Sequence, residues 1–404
     1  MTNLPAARTI RVHHHAALVR ATAFTLVMGF ALAITLAGCG DADKSPPPNT
    51  VAEQRVQQVL DGSVVNPDAR IPGAIAYYHS PAYRPWSGAA GLGEIPTAVA
   101  MRPRDRVRAG SILKTLLATV TLQHVEEGAL SLDQRLPALL PSDVTSRIAN
   151  ADRIALRMLL NHTSGIPEWV TPDVEAQVAA DPTHVWTVDE ELGLASRQPP
   201  AFEPGTSWKY SNTDYTLLGL ILDGLGNETW RAQVRERVID RLALGDTSLP
   251  EPGDPAMPGD HAHGYQDVGG TVLDLTEIDP SMAGAAGGHA LVTTGQDLGR
   301  FIEALLGGEL FARPETLTAM TTMIDAPDVS GLPHRYGLGL EAYTLPNGAT
   351  VIGHSGSTGG YATMMFRVPA ADTTLVTSVN TQDLFLNALQ VFMPSVDVVT
   401  AGSM

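Results

Sequence analysis

The chain has 404 residues, 44% of them hydrophobic and 17% charged, which excludes a disordered polymer, a coiled coil and a nucleic-acid-binding arm. The formal net charge of −17 argues against a phosphate backbone as partner, because such affinity comes from Lys and Arg displacing counterions. The 38 glycines and 29 prolines are scattered without period, the pattern of a loop-rich globular enzyme.

Residues 1–38 carry Arg8, Arg11 and Arg20 and no acid, then an apolar run from Ala21 to Leu36. The run ends in Leu36-Ala37-Gly38-Cys39, which resembles a bacterial lipoprotein signal whose single cysteine becomes the lipid-modified N-terminus. A signal anchor is the other reading, because the 18 residues between Arg20 and Cys39 approach a spanning length. Cleavage before Cys39 removes three arginines and leaves a mature charge of −17 − 3 = −20. The lone cysteine excludes an internal disulfide, and His13, His14 and His15 fall in the discarded segment. The stretch 39–50, Pro-rich and polar, reads as a spacer, with a single folded domain over 51–396.

Within that domain, Val51 to Leu60 fits a short helix, and Ile71 to Tyr78 and Trp86 to Gly91 read as strands. Ile112, Leu113, Leu116, Leu117, Val120 and Leu122 recur at helical spacing from Ser111 to Glu127, ahead of Gly128. Helices follow at 155–160, 189–197, 214–225 and 229–244, and again at 296–306. Strand patterns return at 337–343, 350–353, 361–368 and 373–378, before a last amphipathic segment around Phe385 to Phe392. Strands at both ends with helices between predict an α+β fold. One mixed sheet is built from residues 51–110 and 288–396, and a mainly helical part, 111–287, is inserted into it.

Chemistry concentrates at three places. Ser111 begins a predicted helix with Lys114 one turn on, so a hydroxyl and an amine share a face. Burial lowers the lysine's pKa, leaving a neutral amine or a nearby phenolate to take the serine proton. Tyr210 and Asn212 lie two apart just before a helix, so both can point into one cleft. Alone, Tyr210 also reads as a half-buried aromatic and Asn212 as a helix N-cap. Gly353-His354-Ser355-Gly356-Ser357 puts small residues on a strand edge where a substrate approaches closely, although His354 alone reads equally as a strand histidine. It misses G-x-S-x-G at the last position. His261-Ala262-His263 lacks a third ligand, and neither metal nor cofactor is expected.

With Ser-x-x-Lys at 111–114, Tyr-Ser-Asn at 210–212 and His-Ser-Gly at 354–356 in this order, the chain resembles the serine penicillin-recognising family. That family includes class C β-lactamases, D-alanyl-D-alanine carboxypeptidases and related esterases. The segments Leu159 to Gly165, Tyr215 to Gly219 and Gly287 to Thr294 extend the resemblance. It implies a β-lactamase/transpeptidase-like fold with an antiparallel sheet flanked by helices. Ser111 would be acylated, Lys114 would take its proton, and Tyr210 would shuttle a proton to the leaving group. Asn212 would hold a substrate amide, and His354 would stand where many β-lactamases have lysine. Ser355, Gly356 and Ser357 would line the substrate, and the N–H groups of Ser111 and Ser357 would form an oxyanion hole. His162, Trp169 and Trp208 read as scaffold or cleft wall.

The resemblance ranks a D-alanyl-D-alanine carboxypeptidase-like peptidase of the cell envelope first, lipid-anchored on the outer side of the cytoplasmic membrane. An esterase or D-amino-acid amidase comes second, a weak β-lactamase third, and a non-catalytic envelope binding protein is the alternative of another class. The expected substrates are peptidoglycan stem peptides, β-lactams or esters, with no nucleic acid. Against the carboxypeptidase, Leu340 to Thr344 carries no arginine to grip a terminal carboxylate, and Arg335 is the nearest candidate.

Overall fold

The computed structural model describes residues 45–65, 70–226, 228–281, 290–381 and 387–401. Cys39 and the predicted signal segment lie outside these, as do residues 282–289 and the start of the predicted C-terminal amphipathic segment. Ser45 to the C-terminus forms one compact unit. It reaches back into the Pro-rich stretch: Arg84 N–H donates to Pro47 O at 3.1 Å, and Asn49 caps the first helix by accepting Ala52 N–H at 3.3 Å.

That helix, α1 (Thr50–Val64), buries Ala52, Val56 and Leu60, one stripe at four-residue spacing. Strands β1 (Gly73–His79), β2 (Trp86–Glu94) and β3 (Val99–Ala100) follow, and then β4 (Val107–Arg108). A tight 3-10 turn, Gly110–Ile112, opens into α2 (Leu113–Glu126). Every residue of α2 from Leu113 to His124 is buried, polar ones included; Thr119 and Thr121 donate back to the carbonyls of Thr115 and Leu117.

The helical part continues through α3 (Ser142–Thr145), α4 (Leu156–Leu160), α5 (Pro172–Ala180), α6 (Val188–Ser196), α7 (Asn212–Asp223) and α8 (Trp230–Val234). The helix expected over 229–244 is α8 widening into a π-helical stretch, Arg235–Asp240. A hairpin, β5 (Tyr265–Val268) and β6 (Thr271–Asp274), turns at Gly269 and Gly270, both at positive φ. It falls inside the part expected to be helical.

Strand β7 (Val292–Thr293) pairs with β4 and leads into α9 (Gly295–Leu306) and α10 (Pro314–Thr321). Six strands complete the chain before α11 (Leu389–Thr400): β8 (Ile324–Val329), β9 (Leu332–Tyr336), β10 (Glu341–Thr344), β11 (Thr350–Thr358), β12 (Tyr361–Val368) and β13 (Thr373–Val379). The strand expected over 337–343 is shorter. Gly337 N–H turns back to Leu340 O at 2.8 Å, and Gly339 takes φ +79°, so pairing resumes only at Glu341.

Nine strands form one antiparallel sheet in the order β3-β2-β1-β13-β12-β11-β10-β9-β8. β1 therefore lies beside β13, with Ala74 opposite Val379, joining the two ends of the chain as the strand pattern predicts. Both central strands are buried almost throughout because helices cover both faces: α1 and α11 on one, α9 on the other.

Candidate active site

The site forms where α2 begins against β11. Gly110 takes φ +59°, a conformation that glycine adopts without penalty, and a Cβ there would lie 2.5 Å from Ser357 N. A Cβ on Gly356 would lie 2.0 Å from Ala109 O and 2.9 Å from Ser111 N. The two glycines thus let the backbones at Ser111 and Ser357 approach side by side. Ser111 is half-buried and Lys114 wholly buried. Lys114 Nζ donates to Ser111 Oγ at 3.0 Å and to Asn212 Oδ1 at 2.7 Å.

Burial pulls the Lys114 pKa from 10.5 to about 7, against the opposing pull of Glu168, Glu341 and Asp214, so a neutral amine is accessible near pH 7. The Tyr210 ring lies 5.0 Å from Nζ, and its hydroxyl sits beside Ser111 with no well-formed hydrogen bond among the described residues. Burial pushes this phenol well above its usual pKa. Of the two bases open from sequence, burial favours a neutral amine and disfavours the phenolate.

The His354 ring bonds to groups other than Ser111. Its Nε2 accepts the Tyr336 hydroxyl at 2.9 Å, and its Nδ1 donates to Ser355 O at 2.6 Å. Burial lowers its pKa to about 3, so the ring is neutral and fully engaged. It makes no hydrogen bond to Ser111, Lys114 or Tyr210. Ser355, expected to touch substrate, is buried; its N–H donates to Glu341 Oε2 at 2.7 Å. Gly356 and Ser357 lie at the junction with Ser111.

Several participants carry no signal in short motifs. Glu168, on the loop after α4, accepts Asn212 N–H at 2.6 Å and Asn212 Nδ2 at 3.0 Å. Asn212 is therefore not an N-cap: Ser211 precedes the helix, and the asparagine side chain bridges Lys114 and Glu168. His162, at φ +61°, packs its ring 4.3 Å from Tyr210 and lies 3.1 Å from Asp214 Oδ2. Its pKa is driven well below 6.5 by burial, so it supports Tyr210 as a neutral ring. Tyr336 and His334, on β9, face the half-buried Trp208, whereas Trp169 is core, packed on Trp186. Strand alternation puts Arg335 on the exposed side of β9, opposite His334 and Tyr336, so it does not enter this cluster. His263 pairs with Asp274 and stacks on His261.

A family model described as Beta-lactamase matches residues 52–389, and the chain belongs to that family, the serine hydrolases of the beta-lactamase fold. Among solved structures, a D-stereospecific amidohydrolase from Streptomyces sp. is 31% identical, with a TM-score of 0.74 over 84% of this chain and 98% of that one. The D-amino acid amidase from Ochrobactrum anthropi SV3, 23% identical, shares the fold with a TM-score of 0.75 over 87% of this chain and 99% of that one. Penicillin-binding protein 4* of Bacillus subtilis (strain 168) is 24% identical over 73% of this chain, which spans 63% of that protein's length.

Proposed function

We propose that the protein is an amidohydrolase cleaving D-amino-acid amides or short peptides that present a free amino group, through an acyl-enzyme on Ser111. Neutral Lys114 takes the Ser111 proton as Oγ attacks the carbonyl, and the N–H groups of Ser111 and Ser357 receive the oxyanion. The leaving amine takes a proton through Tyr210, and water then hydrolyses the ester. The charge around the site carries this reading. Lys114 and Arg108 are the buried cations among the described residues, and Arg108 is held by the carbonyls of Pro255 and Thr276. Three acids, Glu168, Glu341 and Asp214, instead face Lys114. Burial raises the pKa of each and each is already hydrogen-bonded, so the reading rests on the lack, among the described residues, of a second buried cation beside Lys114 to pair a terminal carboxylate. The Streptomyces relative is a D-stereospecific amidohydrolase by name, which agrees.

This order differs from the expectation drawn from sequence, which places the carboxypeptidase first. That reading keeps support from the similarity to Penicillin-binding protein 4*. Kinetics on D-alanine p-nitroanilide, its N-acetyl derivative and an acyl-D-Ala-D-Ala peptide separate the two. The free amine is expected to exceed the N-acetylated amide by at least about tenfold in kcat/KM. Release of D-Ala from the peptide with inert amides would return the carboxypeptidase to first place. We also propose that Cys39 is lipidated and anchors the enzyme at the cell envelope. A clickable fatty acid should label the wild type and not Cys39→Ala, and an unlabelled wild type would refute the anchor.

A further inference from the structure

A cavity of about 150 Å³ lies in the helical part, with Leu220 and Asp223 of α7, Trp230 and Arg231 of α8, and Trp186 among its walls. None of Ser111, Lys114, Tyr210 and Asn212 lines it, and Leu220 stands about 12 Å beyond Asn212 along α7. The two indoles and Leu220 give it apolar walls, with room for a benzene-sized body.

Two opposite charges line this cavity without meeting. Arg231 is 12% exposed, and its Nε, closed off from solvent, makes no hydrogen bond among the described residues. Its Cζ lies 4.3 Å from the Trp230 ring centroid, which holds the guanidinium in place. Its ion-pair partner, Glu251 Oε2 at 3.7 Å, is itself mostly exposed, so water screens that pairing. Asp279, also near, is spent on backbone: Oδ1 accepts Ser281 N–H and Oδ2 accepts Gly253 N–H, both at 2.8 Å. Asp223 Oδ1 accepts Trp230 N–H at 2.5 Å. Asp223 and Arg231 sense each other's charge, yet no ion pair joins them, and burial disfavours both by raising the pKa of the acid and lowering that of the guanidinium. A cation and an acid drawn out of water and left apart are costly until something pairs with each.

We propose that this cavity binds a free α-amino acid with a small apolar side chain, its carboxylate on Arg231, its ammonium on Asp223 and its side chain against the indoles. A zwitterion meets both charges at once. An anion alone leaves Asp223 unpaired, and a cation alone leaves Arg231 so. The proposal rests on neither the nucleophile nor the substrate at Ser111.

The test is isothermal titration of the Ser111→Ala protein, in which turnover is removed, with D- and L-norvaline, norvalinamide and pentanoate, beside thermal melting of every variant. At least one hand of norvaline should bind at millimolar concentration or below. Norvalinamide, which lacks the carboxylate, and pentanoate, which lacks the ammonium, should each bind at least about tenfold more weakly. Adding Arg231→Gln removes the cation and keeps a long polar side chain, and adding Asp223→Asn removes the acid and keeps an acceptor for Trp230 N–H. Each should weaken norvaline at least about tenfold. No saturable binding of either hand below about 10 mM overturns the proposal, as does norvalinamide or pentanoate binding as tightly as norvaline. An affinity for norvaline unchanged in either variant that melts cooperatively overturns it too, because the ligand then sits elsewhere, the Ser111 cleft included. Where one variant does not melt cooperatively, the other decides. Inert D-amino-acid amides would refute the proposed reaction and leave this titration standing.

Discussion

On one face of the sheet, α1 and α11 press Val56, Leu60, Phe392 and Val396 onto Phe366 and Leu375. Buried hydroxyls there are settled locally: Ser63 donates to Leu60 O and Ser395 to Val391 O, both at 2.7 Å. On the other face, where α2 meets β11 and α7, the buried groups include Lys114, Asp214, Glu341, His162 and His354. Stability comes from the first face by burial of apolar area, while the second carries desolvated ionisable groups whose altered acidity is useful only to chemistry. Lys114 illustrates the cost and the use together, since the burial that disfavours its charge is what makes it a base near neutrality.

The sharpest way to break this contrast is Ser111→Ala, which should remove probe labelling and lower hydrolysis by at least about 10³-fold while the melting temperature stays within a few degrees. Hydrolysis at the wild-type rate would end the assignment. Lys114→Met is expected to slow acylation by about 10²–10⁴-fold, and it carries a stability signature. Between a folded pKa of about 7 and the unfolded value of 10.5, the unfolded chain holds the extra proton, so wild-type stability rises with pH across that window. Urea unfolding at about pH 7.5 and 9.5 should show wild type gaining roughly 2 kcal/mol more than Lys114→Met. Equal slopes would mean that the lysine is not desolvated.

Phe392→Ala tests the quiet face. Removing this fully buried ring should cost about 3–5 kcal/mol in unfolding free energy, yet leave kcat per folded molecule within about twofold. An equal loss of kcat would show the two faces to be coupled. The smallest effect is expected of Arg335→Ala: on the exposed side of β9, it should change KM for a carboxylate-ended peptide by less than about twofold.

Much of this arrangement is legible in the amino-acid sequence. The Ser111–Lys114 pair follows from helical spacing, and Tyr210 and Asn212 from their place ahead of an apolar helix. The joined ends of the sheet follow from where the strand patterns fall. Glu168 is not legible, because its meaning lies in a contact with Asn212 44 positions away that no local pattern encodes. Glu341 leaves a fainter sign, an acid between Leu340 and Ala342 in a run otherwise fit for a core strand. The hairpin β8–β9 escapes the strand pattern although Ser330 and Gly331, both at positive φ, mark its turn. With that hairpin in place, alternation on β9 puts Arg335 outside.

One asparagine sets a condition on how the chain is made. Gly73 N–H donates to Asn380 Oδ1 at 2.7 Å across 307 positions, and Asn380 Nδ2 donates to Leu92 O and His263 O, both at 3.0 Å. A nascent chain emerging in order presents β1 with the edge that belongs to β13 unpaired until roughly 300 further residues have left the ribosome. Until then this apolar strand is open to pairing with other sheets, and a chain truncated before Thr373 keeps the open edge permanently. Stop codons placed between β1 and β13 should therefore yield aggregates, with no weakened enzyme in the soluble fraction.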